Sequence, residues 1–280
     1  MELFTDHHFL IGDQHLRMGK PCQDFALSGV HEDTAFAIVS DGCSSGHHTD
    51  IGSRITTLST IMAIKNGAKS SEEINSHQQL IMASAKQTLG LSSDDLLATC
   101  SYAYVSQTIG FCHVRGDGVV AWKNVDGSIG LIRLDWKNNM PFYPIYEEDF
   151  SESFIKAHGG DKLAKALSDE RWTYTPSEKL QFGQNEFSIE EGIKGITYNF
   201  TSDDLKQIEY LAVFSDGVTQ VEGIDWKDVI CDLLSFKSTA GEFAKRRMIR
   251  FSKDIGKENH KALDDISFAV IQINHEEEKT

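Results

Sequence analysis

Two apolar runs stand out along the chain, Ala37-Ile38-Val39-Ser40-Asp41-Gly42 and Ala212-Val213-Phe214-Ser215-Asp216-Gly217. Each passes through unbroken hydrophobic positions into Ser-Asp-Gly, the pattern of a buried strand that ends at a turn. Shorter runs of the same kind predict strands over residues 9–14, 25–30, 98–106, 111–115, 119–123, 128–134, 195–200 and 266–273. Helical spacing appears where Thr49, as N-cap, precedes the stripe Ile51, Ile55, Leu58, Ile61 and Met62, ending near Gly67. Further helices are predicted over 72–89, 226–236 and 241–255. Between about 136 and 195 the pattern is weak. Aromatics, polar pieces and a short helix near 161–167 suggest an insertion or flap within a single domain spanning 1–280, since no low-complexity linker marks a boundary.

The turn at His31-Glu32-Asp33-Thr34 sets a register. Positions equidistant from a hairpin turn lie opposite one another, which makes Asp24 and Asp41 cross-strand neighbours about 4.5–5.5 Å apart at Cβ. Like charges so placed destabilise a sheet unless a cation lies between them. The bland alternative is a pair of exposed aspartates capping a hairpin, and the Cys22-Gln23-Asp24-Phe25 setting weighs against it. Asp216 ends one strand and Asp264 precedes another, so antiparallel pairing of those strands brings a second pair of carboxylates to an edge. Gly116-Asp117-Gly118 reads equally as a plain turn or as a bulge approaching a ligand. His47-His48 sits on a Ser/Gly loop and reads as exposed rather than ligating. The Glu276-Glu277-Glu278-Lys279 tail reads as solvated.

Composition narrows the chemistry. A net charge of −15 argues against a general nucleic-acid binder, including a nuclease with a basic groove. Five cysteines form no C-x-x-C pair, which fits free thiols in a reducing compartment and speaks against zinc. No signal-peptide pattern opens the sequence and no run is long enough for a membrane span. The expectation is a cytoplasmic, monomeric protein with no membrane or nucleic-acid partner. Four carboxylates at strand ends favour oxygen-loving Mg²⁺ or Mn²⁺, and two such ions can promote in-line attack of water at phosphorus. No P-loop, nucleophile elbow or cysteine-phosphatase motif supports a protein nucleophile.

The ordered set Cys22-Gln23-Asp24, Val39-Ser40-Asp41-Gly42, Gly116-Asp117, Phe214-Ser215-Asp216-Gly217 and Asp264-Asp265-Ile266-Ser267 resembles the metal-dependent, type 2C protein phosphatases, over most of the chain. The Lys20-Pro21-Cys22-Gln23-Asp24 segment is more like the compact bacterial branch. The resemblance implies an α+β fold: a four-layer α-β-β-α sandwich of two antiparallel sheets. It also implies hydrolysis of phosphoserine or phosphothreonine in a protein substrate. By this resemblance Asp41 bridges two ions, Gly42 offers its carbonyl, Asp24 serves the second ion, Asp216 and Asp264 hold the first, and Asp117 is associated with a third.

Three positions depart from the family pattern. Gly19 stands where many members carry a phosphate-gripping arginine, leaving Lys20 as a point-charge substitute. Cys43 stands where animal members have a histidine, and Gln220 replaces a carboxylate that would help hold a third metal. The missing arginine motivates an alternative, a non-catalytic relative that binds phosphoproteins.

Overall fold

The computed structural model describes residues 1–175 and 178–275, so the acidic tail discussed above lies outside the described residues. Strand β1 (Glu2–Leu10) is followed by a short helix α1 (Asp13–Met18) and the hairpin β2 (Phe25–His31) and β3 (Thr34–Ser40). Two long helices come next, α2 (Thr49–Lys65) and α3 (Ser71–Leu89). Strands β4 (Cys100–Val105), β5 (Gly110–Arg115), β6 (Gly118–Asn124) and β7 (Ile129–Trp136) follow. Helices α4 (Tyr146–Asp149) and α5 (Ser151–Ala157) lead into β8 (Lys165–Tyr174) and β9 (Lys179–Ser188). After α6 (Ile189–Lys194), β10 (Ile196–Phe200), α7 (Ser202–Gln207) and β11 (Ile208–Phe214), the chain closes with α8 (Trp226–Leu233), α9 (Phe243–Lys257) and β12 (Ile266–Asn274).

Two antiparallel sheets result, one of seven strands in the order β1-β12-β11-β6-β7-β8-β9 and one of five in the order β10-β5-β4-β3-β2. Alternate residues of each inner strand serve two cores. Val39, Val114, Val213 and Ile271 meet between the sheets, while Phe214, Phe268 and Leu131 face α8 and α9. On the other side Phe36, Ile38 and Tyr102 pack with Ile61 and Ile64 of α2 and Ile74 of α3. Burial on both faces explains why the two principal runs read as continuous rather than alternating. The architecture is therefore the expected α+β sandwich of four layers.

Several local expectations change. Residues 9–14 do not form a strand: β1 ends at Leu10, and α1 starts at Asp13. The N-cap of α2 is His48, not Thr49. The Thr49 hydroxyl instead accepts from Gln23 Nε2 (2.6 Å) and donates to the Cys43 carbonyl (3.0 Å). The apolar stripe of α2 is only partly its inner face. Leu58 and Met62 are about half exposed, whereas Gly52, Ser53, Thr56, Thr57 and Thr60 are buried. Close approach selects small residues here, since a Cβ on Gly52 would lie 2.5 Å from the Asp95 carbonyl oxygen. The segment 161–167 is not helical. It leads into β8, and β8 and β9 extend the larger sheet, with helices before them, in α4 and α5, and after them, in α6. Gly116-Asp117-Gly118 is where the chain leaves the smaller sheet after β5 and enters the larger one at β6. Both glycines have positive φ (105° and 136°), which a β-carbon would disfavour.

Gly52→Ala is expected to lower stability by about 1–3 kcal/mol through overpacking against the backbone at Asp95. Leu58→Ser, at an exposed position of the same helix, is expected to change it by less than about 0.5 kcal/mol. Urea denaturation of the two variants checks the assignment of faces.

Candidate active site

The hairpin fixes the first pair of carboxylates. Phe25 pairs with Ser40, so Asp24 and Asp41 face each other one step beyond the last rung. The Asp41 carboxyl lies within hydrogen-bonding reach of both Asp24 and Asp216. Backbone contacts hold the turn: Asp41 N donates to Thr99 Oγ1 (3.0 Å), Thr99 N donates to the Asp41 carbonyl (2.8 Å), and Gly42 N donates to the Gln23 carbonyl (3.2 Å). Gly42 must lack a side chain, because its Cβ would sit 2.5 Å from the Thr49 carbonyl oxygen.

A second line of carboxylates crosses the larger sheet. Phe214 of β11 pairs with Val119 of β6, and Gly118 pairs with Leu134 of β7. Continued past those rungs, the register sets Asp117 opposite both Asp216 and Asp135. Asp264 is not directly across from Asp216, because β12 starts only at Ile266, which is opposite that position when the register Phe214–Phe268 is extended. It still lies close enough to repel Asp216. Gln220 Nε2 donates to its Oδ2 (3.0 Å), and the Asp265 amide donates to its Oδ1 (2.8 Å).

Electrostatics registers this crowding. Burial pushes the Asp24 carboxyl up to about 7, against the pull of the Ser215 and Ser267 hydroxyls. Burial and then Asp264 push Asp216 up to about 6. Asp41 is raised well above the carboxylate range by burial, Asp24 and Asp216. Asp117, 8% exposed, is raised by burial, Asp216 and Asp135. Asp24 is fully buried and neither of its oxygens has a well-formed hydrogen bond. A buried carboxylate whose nearby hydroxyls make no well-formed hydrogen bond to it is costly unless a cation meets it. An all-oxygen donor set with such an orphan fits hard divalent ions such as Mg²⁺ or Mn²⁺.

Sequence reasoning passed over two members of this edge. Asp265 accepts from Gly12 N (2.7 Å), Gln23 N (2.6 Å) and His15 Nδ1 (2.9 Å). It thereby ties α1 and the segment before Asp24 to β12. His15, Asp264 and Asp265 bring potential ligand atoms within 4.8 Å of one another. Because His15 and Asp265 are already bonded to each other, this group is a strut, and Asp264 is its outward member. The Asp-Asp doublet signalled the location but not which carboxylate turns inward. Asp135, whose Oδ2 pairs with Arg133 Nε (2.8 Å), carried no signal beyond the β6–β7 register.

The cations also have definite places. Gly19 ends α1 in the left-handed conformation (φ 65°), and Arg17 is turned to Asp13 (2.7 Å). Lys20 Nζ donates to the Ser44 carbonyl (3.0 Å), bridging to the loop that follows Asp41 and Gly42. In that loop burial pushes the Cys43 thiol up, but hydrogen bonds from Ser45, Tyr143 and the Ser45 and Gly46 amides outweigh it and hold the thiol below its ordinary value. Tyr143 belongs to the 136–195 segment, so this segment reaches the site. Among the described residues neither His47 nor His48 belongs to a group of three potential metal ligands.

The sequence matches the family described as Protein phosphatase 2C over residues 11–255. The chain belongs to the protein phosphatase 2C family. By that membership it is a protein serine/threonine phosphatase, a hydrolase. Solved structures with the same fold include the serine/threonine phosphatase Stp1 from Staphylococcus aureus, at 12% identity and a TM-score of 0.58, covering 98% of this chain and 96% of that one. A bacterial serine phosphatase is similar at 13% identity and a TM-score of 0.57, covering 99% and 100%. The S. agalactiae serine/threonine phosphatase follows at 15% identity and 0.52, covering 98% and 100%. No curated protein matches the sequence. Among the described residues no helix is long and apolar enough to cross a membrane.

Two measurements probe the carboxylates. In chelator, a folded-state value near 7 against an ordinary 3.8 means that the fold binds more protons than the unfolded chain. Parent stability at this residue is thus lost as pH rises from about 4 towards 7. Asp24→Asn removes that penalty, so it is expected to stabilise the metal-free phosphatase by roughly 1–3 kcal/mol at pH 8 and by little at pH 4.5. Asp265→Ala is expected to cost about 2–4 kcal/mol at neutral pH by leaving two amides and His15 without their acceptor. Urea titrations at the stated pH values read both.

Proposed function

We propose that this chain is a Mn²⁺- or Mg²⁺-dependent phosphoserine/phosphothreonine protein phosphatase working on protein substrates in the cytoplasm, as a monomer. The observation that carries the reading is the orphaned, fully buried carboxylate of Asp24 beside Asp41, in a chain of the protein phosphatase 2C family. Asp41, Asp216 and Asp264 would hold one ion, and Asp24, Asp41 and the Gly42 carbonyl the other. When bound, such a pair supplies an activated water and offsets the negative charge of a phosphoryl group. The protein contributes position: Asp41 sits between Asp24 and Asp216 and so fixes the spacing of the two halves. Lys20, held on the Ser44 carbonyl, offers its remaining donors to a phosphate as a point charge. Asp117, flanked by Asp216 and Asp135, is where a third ion would be held. Asp135 there adds a carboxylate that Gln220 does not.

The net charge of −15 continues to weigh against a nuclease. The crowding of Asp24, Asp41, Asp117 and Asp216, each raised by burial, does not favour a phosphoprotein binder without catalysis.

With added Mn²⁺ the parent is expected to hydrolyse p-nitrophenyl phosphate and a phosphothreonine peptide, and chelator to abolish turnover. Asp41→Ala and Asp216→Ala are expected to lose at least about 100-fold in kcat/KM, or about 2.7 kcal/mol. Metal-dependent turnover that is equal in the parent and both variants defeats the assignment.

A further inference from the structure

Helix α9 departs from the character of the rest of the molecule. In a chain with 42 acidic and 27 basic residues it carries Lys245, Arg246, Arg247, Arg250, Lys253 and Lys257 against a single acid, Asp254. Its apolar side is spent on the core, where Phe243, Met248, Phe251 and Ile255 are buried against the larger sheet. Arg246, Arg250, Lys253 and Lys257 recur at helical spacing on the opposite side and line a groove of about 710 Å³. The far wall is the loop after α8, which adds Lys237 and Phe236.

The cations are arranged rather than scattered. Arg246 Nη2 donates to the Ser238 carbonyl (3.1 Å), clipping the loop to the helix. Asp254 takes Arg250 Nε (2.7 Å) and Lys257 Nζ (2.7 Å). Lys237 and Lys253 are exposed and have no carboxylate partner among the described residues. Six cations therefore face two carboxylates, Asp232 and Asp254, in this groove. The exposed side chain of Ile249 (39%) lies among them and gives an apolar contact.

We propose that this groove docks an acidic, extended segment of a protein substrate. Along α9 the four cations rise by about 6, 4.5 and 6 Å. Alternate residues of an extended chain project to one side about 6.6–6.8 Å apart, a comparable spacing. A polynucleotide carries its charge continuously and beyond the groove meets a surface of the same sign, whereas a short acidic stretch of a protein does not. The chain leaves α9 at Lys257 and reaches Asp264 seven residues later, so the groove and the carboxylate edge share one connection. Docking here raises the local concentration of a tethered phosphoresidue without adding a contact to the phosphate. The substrate role rests on the phosphatase reading above; the binding itself does not.

The test uses the full chain and a fluorescein-labelled 12-residue peptide of alternating Glu and Ala, with its Lys-Ala counterpart and a 12-nucleotide oligothymidylate as comparisons. Fluorescence anisotropy at low salt is expected to show saturable binding of the Glu peptide, weakened at least tenfold by 0.3 M NaCl. The double variant Lys237→Glu with Lys253→Glu is expected to weaken it at least tenfold. It changes two unpaired surface groups, and circular dichroism with thermal melting verifies its fold. Asp41→Asn is expected to bind as the parent does. Absence of saturable binding, equal binding by the double variant, or tighter binding of either comparison probe overturns the proposal. With a phosphothreonine peptide carrying the Glu-Ala flank, the double variant is expected to raise KM at least fivefold while p-nitrophenyl phosphate turnover stays unchanged. An unchanged KM overturns the substrate role. Loss of all turnover in the parent would instead strike the phosphatase reading and leave the binding result standing.

Discussion

Mutual repulsion among carboxylates at one edge of the sandwich is the constraint on which the rest of this structure turns. Asp24, Asp41, Asp117, Asp216 and Asp264 each come from a different point in the chain, and burial with like-charged neighbours raises four of them. Left to itself such a cluster would spread apart. It is kept together by a frame that gains far more elsewhere, from apolar side chains packed between the sheets and beneath both helical layers. The proposed function and stability are in opposition at this edge, as function and stability commonly are where like charges are gathered and buried.

The frame reaches the edge through a few rigid connections. Asp265 is the most economical: one carboxylate gathers the Gly12 and Gln23 amides and His15, so that β12, α1 and the approach to Asp24 move as a unit. On the other side, Thr99 brackets Asp41 with its amide and hydroxyl. Gly116-Asp117-Gly118 joins the two sheets directly, which places Asp117 between their contributions. These are backbone and buried polar contacts, the kind that hold geometry within narrow limits.

On the proposed reading, recognition of phosphate and of protein are separated on this molecule. Close to the carboxylates, among the described residues, the cation fixed to the loop after Asp41 is that of Lys20, a single ammonium in place of a guanidinium fork. The basic surface instead lies along α9, on the outside of the larger sheet. A family member with a weak local grip on phosphate gains most from holding its substrate by another part, and the distribution of charge here is consistent with that division.

Much of the carboxylate edge was legible in the sequence, because hairpin register is counted from the turn and needs no tertiary information. Asp24 and Asp41 follow from the position of Glu32-Asp33 alone, and the unbroken apolar runs before Asp41 and Asp216 state that their strands are covered on both faces. Other features belong to the tertiary structure. Gly52 is on the inner face of α2 because the helix lies close against the segment at Asp95 and Leu96, and Thr60 on that helix is buried against Gln78 and Cys100, contacts no periodicity encodes. The segment 136–195 was illegible because β9 is the edge strand of the larger sheet and β8 beside it is half-buried over much of its length, so that neither carries a clear alternation. Asp264 and Asp265 are chemically identical neighbours; the sequence placed a carboxylate there, and only the positions of Gly12, His15 and Gln23 decided that Asp265 turns inward to hold the frame.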